Sequence, residues 1–219
     1  MNKIFASRPC CWAPGLETPS DWQEWLSGNK GIENTEDAPS LSFTSPLFRR
    51  RLGQLCRMTV QVVHDILEHT GCGDIKQVFI SKRGDIKREF TVNKTLIEDN
   101  TVLPAAFSLS VFNAPIALAS IACNLKSGYS AIFPSNGIFS SAVLAAAAPV
   151  LSGHEDKIIL VYGDEAVPVE YGKLSPEDEF PMAFATVLSA KEDSVCTIPT
   201  APDTLQDCTA ESFLRHILK

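Results

Sequence analysis

The sequence predicts an α/β fold in which helices are layered on a mixed sheet. Three observations lead there. Leu47 to His69 carries Leu52, Leu55, Val62, Val63, Ile66 and Leu67 near the 3.6-residue helical period. Short apolar, β-branched runs recur between helical stretches, most clearly Ile75 to Ile80 (IKQVFI), Lys157 to Tyr162 (KIILVY) and Ala183 to Ala190. Tyr129 to Ala148 reads as a strand, a sharp turn and a small-residue helix in immediate succession. Alternation of this kind builds a sheet covered by helical layers.

Taken in order, the segment 12–46 is predicted to be irregular. From residue 15 onward it is rich in Gly, Pro, Ser, Asp and Glu, and Trp12, Trp22 and Trp25 anchor it against something apolar. The helix Leu47 to His69 ends at Gly71 and Gly73. The strand Ile75 to Ile80 follows, and Val92 to Asp99 is a short helical or irregular excursion. Pro115 to Ala122 forms a second helix, with proline tolerated in its first turn. Ser127-Gly128 breaks it before the strand Tyr129 to Phe133, and Gly137 to Leu151 is the third helix. Lys157 to Tyr162 is the central strand, closed by Gly163 and the acidic pair Asp164-Glu165. After the strand Ala183 to Ala190, Ala210 to Leu218 forms a terminal helix capped by Thr209. No internal repeat occurs, and residues 1–219 read as one domain.

Composition narrows the function. With 219 residues, 45% of them apolar and 21% charged, the chain can bury a sizeable core. Nineteen basic residues against 26 acidic ones give a net charge of -7, which opposes nucleic-acid binding. The one basic cluster, Arg49-Arg50-Arg51, is either a solvated face or a docking spot for an acidic partner. Seven cysteines, at positions 10, 11, 56, 72, 123, 196 and 208, include no CxxC and do not make a secreted disulfide scaffold, so a reducing cytoplasmic location is expected. The start MNKIFASRPCCWA is no signal peptide, because Arg8 and Pro9 interrupt its apolar run. Ala142 to Leu151, the longest apolar stretch, falls short of the about 20 residues that span a bilayer.

The strand, turn and helix around Phe133 to Phe139 is an arrangement by which several α/β enzymes present a nucleophile. A hydrolase elbow needs glycine two residues before and two after its serine, because the turn leaves no room for side chains there. Around Ser135 the later glycine is present as Gly137, but the earlier position holds Phe133. A small serine hydrolase or acyltransferase would have to draft His216 and Asp164 as partners; the plainer role of Ser135 is to cap the helix that follows. His64 and His69 are five apart, off the spacing that puts two ligands on one helical face, and His154 lies in the turn SGHED, so no metal site is expected. Neither GxGxxG nor GxxxxGK occurs, so no nucleotide cofactor is expected. No charged residue stands between Leu103 and Ala122, where small residues alternate with Phe107, Leu109, Phe112, Ile116 and Leu118. That stretch fits a core and a subunit interface equally well.

These stretches carry a resemblance. LFRRRLGQLCRMTVQVVHDILEHTG, IKQVFIS, LPAAFSLSVFNAPIALASIACNLKSGYSAIF and KIILVYGDEAVP resemble the N-terminal half of the β-ketoacyl synthases, and within that superfamily the short chain-length-factor-like proteins of aryl polyene biosynthesis. The resemblance covers about Phe48 to Pro168 and is looser up to Ala190; its most specific part is SxSVxNAPxAxxSIA over Ser108 to Ala122. It implies a thiolase-like fold, N-terminal half only. In the family a nucleophilic cysteine sits at the amino end of a buried helix, and two histidines come from a second half that this sequence does not contain. The cysteine position falls here at Pro134, or at Ser135 after a slip of one residue. Proline has no nucleophile, and a serine lacks thiolate reactivity.

The resemblance therefore implies a non-catalytic chain-length factor. It would form a heterodimer with a complete β-ketoacyl-ACP synthase, meet acyl carrier protein through that complex, and shape the acyl tunnel. Family pairing across the dimer implies Tyr129 to Phe133, including Ile132, as the pairing strand, and Val111 to Ile116, with Phe112 and Asn113, as the tunnel-approaching segment. The family often has histidine before that asparagine; this chain has Phe112, apolar and suited to bordering a polyene chain. A purely structural subunit is the alternative.

Overall fold

The computed structural model describes residues 3–134, 138–172, 180–191, 196–198 and 208–219. Among these residues seven strands form one mixed sheet: β1 Ile4–Ala6, β2 Cys10–Trp12, β3 Gln77–Ile80, β4 Tyr129–Ile132, β5 Lys157–Asp164, β6 Met182–Ser189 and β7 Cys196–Ile198. The order is β4-β3-β5-β6-β1-β7, with β2 also lying along β6. β3 runs parallel to β4 and β5, and β6 returns antiparallel to β5. β1 and β2 are two pieces of one extended run beside β6, held across their break by Ser7, whose N–H and Oγ both engage the Val187 backbone.

The helices are α1 Pro19–Leu26, α2 Pro46–Arg49, α3 Gln54–Thr70, α4 Ile86–Asp99, α5 Pro104–Ser108, α6 Ala114–Ala122, α7 Phe139–Leu151 and α8 Ala210–Leu218. Two apolar cores follow from the two faces of the sheet. On one, α1, α7 and α8 bury Trp22, Trp25, Phe139, Val143, Phe213 and Leu214 against Ile80, Leu160 and Phe184. On the other, α3 and α6 bury Leu55, Met58, Val62, Ile66, Ile116 and Ala119 against Phe79, Ile159 and Val161. β5 is buried at nearly every position, which its continuous apolar sequence anticipates for a strand covered on both faces.

Several sequence expectations are corrected. The segment 12–46 is not wholly irregular: Thr18 accepts from Asp21 N–H while the Asp21 carboxylate accepts from Thr18 N–H, and this capping box starts α1. Trp22 and Trp25 lie on one face of that helix and are buried, so the tryptophans anchor a regular element. Leu47 to His69 is two helices, parted at Arg50 to Gly53, with Gly71 in the left-handed region closing the second. α4 begins at Ile86, ahead of Val92, because Asp85 caps it. β5 continues through Gly163, where a side chain would meet Leu55 Cδ1 at 2.9 Å; glycine there lets α3 lie close on the sheet.

Candidate functional site

The sequence points to the β4 edge and the turn into α7. β4 pairs only with β3 among the described residues, leaving its other edge open. Beyond it Phe133 is 60% exposed and Pro134 is buried. Ser135 and Gly137, and with them the serine elbow and the helix start at Gly137, lie outside the described residues. α7 resumes at Phe139, whose ring is locked edge-on against Tyr162 and Phe213. Its N-cap residue, Ile138, offers no side-chain hydrogen bond to the first turn.

The Leu103 to Ala122 stretch splits between exposed surface and core. Phe107 is 58% and Val111 43% exposed, on and after α5. Asn113 Nδ2 donates to Tyr129 Oη at 3.2 Å, tying the segment to the start of β4. Phe112 is half-buried: its ring tilts over Phe79 at 6.4 Å between centroids and rests on Gly84, where a Cβ would stand 3.1 Å from the Phe112 ring. Ile116 departs from its expected tunnel-side position. It is fully buried among α3, β3 and β5 side chains, because it points inward from the first turn of α6. Ile132 and Tyr129 are partly exposed on the edge strand.

Burial pushes Cys10 up to about 12 and Cys123 up to about 11, and raises Cys11, Cys56 and Cys208 as well. Thiols held neutral in this way are poor nucleophiles at physiological pH. No group of three or more metal-ligating side chains occurs among the described residues, and no described helix is long and apolar enough to cross a membrane.

Behind Phe112 lies a network at the strand end that Gly163 and the acidic pair Asp164-Glu165 were expected to close. Asp164 is half-buried and accepts from Ser81 Oγ at 2.7 Å, from Lys82 N–H at 3.0 Å and from Arg83 N–H at 3.3 Å. Ser81 Oγ in turn accepts from Gly84 N–H at 2.8 Å. Burial raises the Asp164 carboxyl above its ordinary range, while these donors pull it back. Asp164 is committed to this loop, and His216 is exposed on α8. The only sequence signal was an acidic pair ending a buried strand. Among the arginines, Arg49 turns inward to the Leu41 and Thr44 carbonyls. Arg50 and Arg51 are exposed and line an open groove of about 830 Å³ with Leu47, Leu103, Leu109 and Ile121.

Comparison with known proteins bears on this arrangement. Residues 22–214 match the family model described as the β-ketoacyl synthase, N-terminal domain. No curated protein matches the sequence. Among solved structures, the ketosynthase ApeO in complex with its chain length factor ApeC from Xenorhabdus doucetiae is similar at TM-score 0.77 and 20% identity, over 99% of this chain and 91% of that one. The ishigamide ketosynthase/chain length factor follows at TM-score 0.65 and 12% identity, over 88% and 63%. A β-ketoacyl synthase from Burkholderia phymatum follows at TM-score 0.60 and 14% identity, over 88% and 60%. The chain thus spans about three-fifths of the length of the last two. Its fold is thiolase-like, with helices over a mixed sheet, and the chain belongs to the β-ketoacyl synthase N-terminal domain family.

Proposed function

We propose that this chain is a non-catalytic chain-length factor, a cytoplasmic subunit that pairs with a complete β-ketoacyl-ACP synthase and borders its acyl tunnel. One observation carries the reading: at Pro134, or one residue on at Ser135, where the resemblance puts the family's cysteine, the sequence has no thiol. Membership of the ketosynthase family and likeness to a ketosynthase–chain length factor complex support it. So do the exposed surfaces. The open edge of β4, with Phe133 exposed just beyond it, and the exposed Phe107 and Val111 on and after α5 have the character of surfaces awaiting a partner.

The partner would supply the cysteine and the histidines, and condense acyl groups brought by acyl carrier protein. Phe112, Val111 and Phe133 would stand where the growing polyene stops, so that their volume sets its length. Asn113 would hold that wall against β4 through Tyr129.

Co-expression with a complete ketosynthase tests the proposal. A 1:1 complex burying more than about 2,000 Å² is expected, and the purified chain alone should give no condensation with acyl- and malonyl-carrier substrates. A monodisperse monomer that ignores the ketosynthase, or turnover by the chain alone, would end it.

A further inference from the structure

Two acids the proposed role does not use lie side by side beneath the N-terminus of α4. Asp85 is 3% and Glu165 4% exposed, and their carboxyls share a hydrogen bond. Asp85 caps the helix: Oδ1 accepts from Arg88 N–H at 3.2 Å, and Oδ2 accepts from Arg88 Nε at 3.0 Å. Glu165 Oε1 accepts from Lys87 N–H at 3.0 Å. The pair therefore ties the end of β5 to the first turn of α4.

Among the described residues, the charged groups packed against the pair come from α3, α4, β5 and the N-terminal segment. From α4, Arg88 is salt-bridged to Asp85. Lys87 sends its ammonium to Glu36 of the N-terminal segment at 2.6 Å, with Gln54 of α3 at 3.5 Å. From α3, the Cys56 thiol lies 3.5 Å from Asp85 Oδ2 and is held neutral by burial. On β5, the neighbouring Asp164 carboxyl is engaged by the Ser81 to Arg83 loop. Two hydrogen-bonded buried carboxyls facing one guanidinium are stable only if one proton is kept between them. Burial, with Asp85 beside it, favours the proton on Glu165.

We propose that Asp85 and Glu165 hold a single shared proton and that, in this state, they latch the loop bearing Gly84 and so fix the seat of the Phe112 ring. Gly84 adjoins Asp85 in the chain and sits in the left-handed region directly against Phe112, so a shift of the α4 cap is passed to the ring without an intervening side chain. A cavity of about 280 Å³ lies beside the pair, lined by Gly53, Thr91 and Ala106 among others. Burial first, and the Asp85 charge second, push Glu165 up to about 8.

The sign follows from linkage. A carboxyl raised in the folded state favours folding most below its ordinary value of 4.5, and that contribution is lost as pH rises through about 8. The test compares denaturation midpoints of the wild-type chain and Glu165→Gln from about pH 5 to 9. Glutamine copies the protonated acid, donating to Asp85 and accepting from Lys87 N–H. The wild type should lose stability relative to Glu165→Gln across that range, with faster amide exchange at Lys87 and Arg88. Parallel pH profiles for the two proteins would overturn the latch. A carboxyl ¹³C titration of the wild-type protein decides the matter even if the variant does not fold. One carboxyl of the pair still protonated at neutral pH supports the proposal, and both ionised there overturns it. None of these readouts depends on a ketosynthase partner, so the latch and the chain-length reading fail separately.

Discussion

The two ends of one uncharged stretch behave oppositely. From Ala114 onward α6 turns Ile116 and Ala119 into the core beneath α3, where nothing but protein touches them. A few residues earlier, Leu103, Phe107 and Val111 stand in solvent on either side of and along α5. The residue types are the same, and only the presence of a covering layer differs. Where α3 supplies that layer, an apolar side chain stabilises this chain. Where no described element supplies it, the side chain costs solubility and is best explained by something outside the chain. Phe112 lies between the two regimes, half on Phe79 and half exposed.

The largest expected effect belongs to the covered end. Ile116→Ala should cost about 2–5 kcal/mol, because a fully packed site collapses only partly around the lost atoms. Chemical denaturation of the purified chain measures it. A loss below about 1 kcal/mol would mean that the α3 side is not the rigid half and that the contrast drawn here is wrong.

How much of this contrast could be read from sequence follows from what periodicity encodes. Helical spacing in Leu52 to Leu67 revealed α3, and the unbroken KIILVY revealed a strand covered on both faces, since burial of a whole element leaves its trace in the pattern. The family resemblance is borne out, since residues 22–214 match that family. Pattern could not say which residues of a small apolar stretch meet a neighbour. Ile116 and Phe107 are equally apolar, and the break between α5 and α6 that separates their fates shows no period. Helix α1 was missed because its eight residues are mostly polar and its capping box sits in a segment dominated by turn formers. The Asp85–Glu165 pair was missed for a different reason. Its two acids are far apart in the chain and meet only when β5 and α4 pack, and no local pattern marks a buried acid.

Phe112 sharpens the comparison at an intermediate size. Truncation to alanine removes a half-buried ring and should cost the isolated chain about 1–2 kcal/mol, less than a core phenylalanine. In the reconstituted complex the yield should hold while carrier-bound products lengthen, as mass analysis would show. Unchanged lengths in a stable complex would remove Phe112 from the wall and shift attention to Val111 and Phe133. Collapse of the complex would place the ring functionally with Ile116.

The smallest effect on stability, and the sharpest on association, is expected at Phe133. Its ring follows the open edge of β4 and is mostly in solvent, so Phe133→Glu removes little buried area and leaves no unpaired polar atom inside. Surface changes of this kind stay within about 0.5 kcal/mol. Denaturation of the variant alone should therefore overlay the wild type. Against a partner the same change has a different weight, because a carboxylate pressed into an apolar interface is desolvated without compensation. Size-exclusion chromatography with light scattering should then show the 1:1 complex lost while the monomer remains folded. A complex that survives Phe133→Glu would mean that the β4 edge faces water even in the assembly. A variant that unfolds on its own would mean that Phe133 belongs to the core after all, and the line between covered and uncovered ends would have to be redrawn on the far side of β4.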